Sequence, residues 1–149
     1  MNDETLALQP VGAADRALLT AFARAYHDYD GHAWEARHEA AIAQLCAGTP
    51  YARAFLLTVA GRPAGFASIS FGFSIEVGLD FFLDEFFLEE AARGQGRGRR
   101  FLAMLEAEAR RLGGRRLCLE AELHNVRAER LYLSTGYQPH ERHLMSKEL

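Results

Sequence analysis

Residues 93–98 read Arg93-Gly94-Gln95-Gly96-Arg97-Gly98 and run directly into Arg99 and Arg100. Glycines let the backbone approach a ligand closely and accept positive φ. A helix that begins there presents unpaired N–H groups and the positive end of its dipole. Glycine turn, helix start and four arginines together predict an anion site, best suited to phosphate. The plainer reading is a tight strand-to-helix turn with a solvated basic face. A second constellation lies just upstream. Asp84 and Glu85 stand between Phe81-Phe82-Leu83 and Phe86-Phe87-Leu88. Burial among aromatic rings raises a carboxyl pKa, which suits a general base. Strand alternation sends the two acids to opposite faces unless a bulge intervenes. The plainer reading is a solvated strand acid, or one paired with an arginine.

Both constellations need the order strand, glycine loop, helix. Leu102, Leu105, Ala109 and Leu112 supply the helical spacing, with Phe101 beside them and Glu106 and Arg110 at i,i+4. Upstream, residues 5–9 predict an edge strand before Pro10. Leu18, Leu19, Phe22, Ala25, Tyr26 and Tyr29 share a helical face, Asp15 sits near its start, and Asp28-Tyr29-Asp30-Gly31 breaks it. A second helix is predicted over 34–46, with Ile42 and Leu45 inward and Gly48-Thr49-Pro50 as its stop. Residues 54–59 and 64–73 read as a hairpin joined by Ala60-Gly61-Arg62-Pro63. Residues 74–78 link it to the aromatic strand. Beyond the loop helix, Gly113-Gly114 is a stop and Leu117-Cys118-Leu119 a buried strand. Asn125 caps a short helix to about residue 134, with Gly136 as its C′ residue. Residues 137–148 are expected to form a terminal strand interrupted near Pro139. No repeat or linker is visible, so residues 1–149 are read as one domain.

The chain has 149 residues, enough for a sizeable core, with 49% apolar and 25% charged residues. Its net charge of −3 argues against a general nucleic-acid binder. Eight of the 17 basic residues are nonetheless arginines between Arg93 and Arg116, a local patch that fits a polyanionic small ligand. Cys46 and Cys118 sit in apolar settings and read as free thiols in a reducing compartment. The start lacks a signal peptide's basic and apolar regions, and no apolar run reaches membrane-spanning length. A cytoplasmic protein without membrane contact is expected. His27 and His32 flank Asp28 and Asp30, but their spacing matches no strong metal pattern, so a surface loop and no metal are expected.

The glycine loop resembles motif A of the GNAT N-acetyltransferases, Gln/Arg-x-x-Gly-x-Gly/Ala. Asn125, Ala128, Leu131-Tyr132 and Gly136-Tyr137 resemble the family's motif B, about thirty residues downstream. The resemblance is sharp over residues 81–137 and looser over 54–73. It implies an α/β fold whose central mixed, mostly antiparallel sheet is flanked by helices. It implies direct transfer of an acetyl group from acetyl-CoA to a primary amine, on a small molecule or a peptide, within a ternary complex. By the same resemblance, Arg93, Gly94, Gln95, Gly96, Arg97 and Gly98 hold the cofactor's pyrophosphate through backbone N–H groups. Phe87 and Leu88 lie beside the cofactor at a splayed strand end, where a backbone N–H polarises the thioester carbonyl. Asn125 contacts the pantetheine. Tyr132 borders the cofactor and is the general acid. Glu85 is the base, with Asp84 or a bridging water as alternatives. The segments that shape the acceptor pocket carry Tyr26, Asp28, Tyr29, Asp30, Trp34, Phe73, Glu76 and Asp80. Aromatic faces and carboxylates favour a cationic amine. A homodimer is compatible with this reading. Two alternatives compete: a catalytically silent acetyl-CoA-binding module, and a dinucleotide oxidoreductase, disfavoured because the third glycine is misplaced. A P-loop would need Gly-Lys-Ser/Thr, which is absent.

Overall fold

The computed structural model describes residues 4–149. The elements run β1 (Leu6–Pro10), α1 (Arg16–Asp30), α2 (Ala36–Ala47), β2 (Ala52–Val59), β3 (Arg62–Ser74), β4 (Gly78–Leu88), α3 (Arg97–Arg111), β5 (Arg116–Leu119) and α4 (Val126–Ser134). The five strands form one sheet in the order β1-β2-β3-β4-β5. All neighbours are antiparallel except β4 and β5, which are parallel. The sheet is therefore mixed and mostly antiparallel.

The sheet is covered on both faces, which explains why β2 is an almost unbroken apolar run. Phe55 and Leu57 point into a cluster with Phe81, Leu83, Phe101 and Leu105 on the α3 face. Ala54 and Leu56 point into a second cluster with Leu19, Phe22, Ile42 and Phe66 on the α1–α2 face. The helical spacing read for α3 is the buried stripe: Phe101, Leu102 and Leu105 are 0% exposed.

Three local features differ from the sequence expectation. The first helix does not break over Asp28-Tyr29-Asp30 but runs to Asp30. Gly31 at φ 74° ends it, with Gly31 N–H donating to Asp28 O and His32 N–H to His27 O at 2.8 Å. The second helix starts at Ala36, not Trp34, because Glu35 N–H is capped by His38 Nδ1 at 2.9 Å. The expected terminal strand is absent. Residues 138–149 are exposed and irregular. Pro139 removes a ladder donor, and the charged run His140-Glu141-Arg142-His143 offers no apolar face to bury. Near the end of this segment, Glu148 pairs with Arg37 of α2 at 3.1 Å.

Candidate active site

The site originates in a mismatch of strand lengths. β4 pairs with β5 only from Asp80 to Leu83, opposite Arg116 to Leu119. Beyond Leu83, β4 continues to Leu88 while β5 has ended, so one edge of β4 faces an open cleft. On the other side β3 stays close. A Cβ placed on Gly65 would lie 2.0 Å from Phe87 O, so only glycine allows β3 to pair with the end of β4.

The register between β3 and β4 shifts at this point. Ser68 faces Glu85 and Ile69 faces Leu83, which leaves Asp84 as an extra residue. The bulge brings both acids to one face. The Ser68 hydroxyl donates to Glu85, and the Ser70 hydroxyl lies beside Asp84. Ser68 and Ser70 are two residues apart on β3 and so share a face. Both acids therefore look toward α1 and α2. Burial raises the Glu85 pKa most, Asp84 raises it further, and the Ser68 hydrogen bond and His27 oppose the rise. Asp84 keeps an exposed edge, and partial desolvation of its carboxyl raises its pKa as well, against the effect of Ser70.

The glycine loop opens onto the same cleft. Gly94, Gln95 and Gly96 have φ of 88°, 54° and 72°, three positive-φ residues in succession. They turn the chain so that α3 begins at Arg97 with its axis meeting the cleft. Arg97 N–H is used by Gly94 O at 3.1 Å. The first-turn N–H groups of Gly98 and Arg99 have no carbonyl of their own helix to bond. A cavity of ≈ 280 Å³ lies over them, lined by Phe87, Leu88, Gly94, Gly96, Gly98 and Arg99, and completed by Asn125 and Tyr132.

The arginines near the loop are largely committed to protein. Arg97 is clamped by Glu4 at 2.7 and 3.1 Å and donates to Ala92 O. Arg93 Nε donates to Leu88 O at 2.8 Å, with its guanidinium over Tyr29. Arg99 reaches the Ser134 hydroxyl at 2.8 Å. These side chains hold the loop, the β4 end and α4 together, and the backbone amides are left to meet an anion.

α4 brings the remaining groups. Asn125 Oδ1 accepts from Ala128 N–H at 3.1 Å, a helix cap that fixes its amide on the cleft wall. Tyr132 is buried, and burial with nearby Asp30 pushes its pKa up to about 12. It therefore keeps its proton at neutral pH.

Tyr26, Asp30 and Tyr132 meet at this cleft. Trp34 lies elsewhere, in a ≈ 90 Å³ apolar cavity under α1 and α2 that Glu85 and Ser68 also line. Asp28 is exposed and lines none of these cavities. Asp80 is tied to Arg116 at 2.9 Å, eight residues and about 26 Å of strand from Leu88, and Phe73 and Glu76 lie at that same far end. These three do not shape the site. His27 is no surface-loop residue either: it sits within α1, with its ring 5.1 Å from Trp34 and 4.6 Å from His38. The sequence reading did not single out Ser68, Phe86, Glu122 or Arg127. Ser68 and Ser70 carried a readable signal, two hydroxyls on one face of an otherwise apolar strand.

Residues 16–137 match the model of the acetyltransferase (GNAT) family. The chain belongs to that family. A 68-residue stretch is 41% identical to the uncharacterized N-acetyltransferase YycN of Bacillus subtilis (strain 168), covering 46% of this chain and 43% of that protein, less than half its length. The crystal structure of YycN superposes with a TM-score of 0.71 at 27% identity, covering 97% of this chain and 99% of the other. An integron cassette protein from the mobile metagenome of Cole Harbour Salt Marsh gives 0.78 at 24% identity, covering 95% and 90%. The aminoglycoside N-acetyltransferase AAC(6')-Iy in complex with CoA gives 0.78 at 14%, covering 99% and 97%, a likeness of fold. No helix among the described residues is long and apolar enough to cross a membrane.

Proposed function

We propose that the protein is an acetyl-CoA-dependent N-acetyltransferase that transfers acetyl directly to a primary amine in the cleft between β4 and β5. One observation carries this reading. The free edge of β4, the N-terminus of α3 and the buried Tyr132 all face one cleft, Asp84 lines the adjoining cavity, and Glu85, in the cavity under α1 and α2, lies near enough to Tyr26 of the cleft to raise its pKa.

The residues fit coenzyme A. The positive-φ turn at residues 94–96 leaves open space, since a Cβ on Gly94 or Gly96 meets nothing within 4 Å. Pyrophosphate would bind at the N–H groups that begin α3. The pantetheine arm would run along the unpaired edge of β4 at Phe87 and Leu88, bordered by Asn125. When bound, acetyl-CoA supplies an acyl group activated as a thioester.

The chain's residues supply proton handling and position. The amine must be neutral to attack, and Asp84 or Glu85, directly or through water, takes its proton. A backbone N–H of the β4 edge polarises the carbonyl. As the N–C bond forms and the C–S bond breaks, the phenolic proton of Tyr132 is at hand for the departing sulfur. Burial raises a thiol's pKa as it raises the phenol's, which narrows the gap between them.

The test is thiol release from acetyl-CoA across a panel of primary amines, with product mass as confirmation. Acetylated product from any amine supports the reading. Tight acetyl-CoA binding with no turnover on the whole panel would replace it with the silent binding module.

A further inference from the structure

Glu85 stands between two spaces. Toward the cleft, its charge helps to raise the pKa of the Tyr26 phenol. Away from the cleft, it lines the ≈ 90 Å³ cavity under α1 and α2, together with Ser68, His27, Trp34 and His38. Ser68 donates to one Glu85 oxygen. The remaining walls are apolar, among them Leu19, Ile42, Ala54 and Phe66.

The backbone fixes how each imidazole of this cavity carries its proton. His27 Nδ1 lies 2.8 Å from Ala23 O, a carbonyl that only accepts, so Nδ1 holds the proton and Nε2 keeps a lone pair. His38 Nδ1 accepts Glu35 N–H at 2.9 Å, so Nε2 holds the proton instead. His27 therefore gains a second proton without losing a hydrogen bond. His38 gains one only by breaking the contact that opens α2. The two rings are 4.6 Å apart, which disfavours charging both. Around His27 the other titratable groups are His32, at 6.3 Å ring to ring, and Tyr26, at 5.9 Å. Arg24 lies over Trp34 and is paired with Glu39 at 2.6 Å.

We propose that His27 is the outlet for the proton that Glu85 collects. The proposal rests on the N-acetyltransferase reading with Glu85 as the base. An amine N–H bond breaks as a Glu85 O–H bond forms. Cofactor and amine fill the cleft side, so the Glu85 proton leaves toward the cavity. Its O–H bond breaks as an N–H bond forms at His27 Nε2, directly or across a water. The cavity has room for one, with Ser68, Glu85, His27 and His38 as polar partners. The half-buried imidazolium then releases the proton to solvent, and Glu85 is a carboxylate again. His27 touches neither substrate and acts only through Glu85.

The pairing is read by NMR of the histidine ring nitrogens in wild type and Glu85→Gln, without acetyl-CoA. His27 is expected to take its second proton at Nε2. At a given pH the share of charged His27 should fall severalfold in Glu85→Gln, where the carboxylate that favours the imidazolium is gone. His38 should stay in its Nε2–H form. Turnover is read with saturating acetyl-CoA and the amine of the thiol-release panel that reacts fastest. His27→Ala should lower kcat about tenfold near neutral pH, less than loss of a direct base, because water still drains Glu85 slowly. Imidazole added to the buffer should restore it. His38→Phe should keep kcat and lower Tm through the lost contact with Glu35. A kcat that is unchanged in His27→Ala, or that falls without rescue by imidazole, overturns the outlet and leaves the acetyltransferase intact. So does a His27 charge that Glu85→Gln leaves in place, which decides the matter even where His27→Ala fails to fold. An equal loss of kcat in His38→Phe overturns the outlet as well. No acetylation of any amine by the wild type overturns the enzyme reading and the outlet with it.

Discussion

The two halves of the cleft treat charge in opposite ways. On the cofactor side, Arg93, Arg97 and Arg99 are tied to Leu88 O, Glu4 and Ser134, and the backbone amides at the start of α3 face the cavity. On the other side, Glu85 is partly buried with raised pKa, and Asp30, beside the Tyr26 phenol, keeps one buried oxygen that makes no hydrogen bond. The first half ties its charges into internal contacts and leaves main-chain N–H groups facing the cavity. The second holds ionisable groups in environments that shift them, which is what proton transfer requires. Tyr132 belongs to both halves.

The sharpest way to break this comparison is at Tyr132. Tyr132→Phe keeps the ring and removes the proton. Turnover should fall about 10²-fold or more, with acetyl-CoA and amine affinities little changed. Wild-type kcat, measured with chemistry limiting, removes Tyr132 from the mechanism.

Next comes Gly96→Val. Gly96 sits at φ 72°, and a β-branched residue there distorts the turn that presents the amides of α3. Acetyl-CoA Kd should rise by about tenfold or more while amine KM holds steady, since loss of a hydrogen-bonded anion contact costs on the order of 1.5–3 kcal/mol. Equal weakening of both ligands would show that the halves are not separable.

Glu85→Gln tests the acidic half through pH. The Glu85 pKa is raised from its ordinary 4.5. In the window between, the folded state binds more protons than the unfolded one. The stability this group contributes is full below the unfolded pKa and is lost as pH rises through the folded value. Wild-type kcat/KM should climb with pH over the window in which stability declines. The glutamine variant should lose the acid limb of the rate profile and gain stability relative to wild type above that window. Parallel rate profiles for the two proteins exclude Glu85 as the base and leave Asp84.

The smallest effect is expected from Arg97→Gln. Its guanidinium is engaged by Glu4, the pair being 11% and 30% exposed. Removal should cost about 1 kcal/mol of stability, read by denaturant titration. Acetyl-CoA affinity should change less than threefold, on the order of 0.6 kcal/mol. A tenfold loss of affinity would show that the arginine side chain itself meets the phosphates.

The sequence determined the elements around the glycine loop almost completely. They are contiguous: aromatic strand, glycine turn, amphipathic α3, and the Asn125-capped α4 with Tyr132 on its buried face. Local rules of spacing, capping and positive φ suffice there, because helix face and turn geometry depend on neighbours within a few residues. The sequence also showed that Asp84 and Glu85 sit in apolar company. It could not show their direction, because that depends on a register shift opposite Ser68 and Ile69 of another strand. Nor could it sort the acceptor residues. Asp30 reaches the cleft because α1 continues to Asp30 and packs on β3, while Asp80, on β4 itself, points to Arg116 at the other end. Glu120 and Glu122 line the gap only because β5 stops at Leu119 while β4 runs on to Leu88. Where two strands part is a property of the assembled sheet, and groups that meet in the gap, such as Tyr26 and Tyr132, come from segments about a hundred residues apart, beyond the reach of any local pattern.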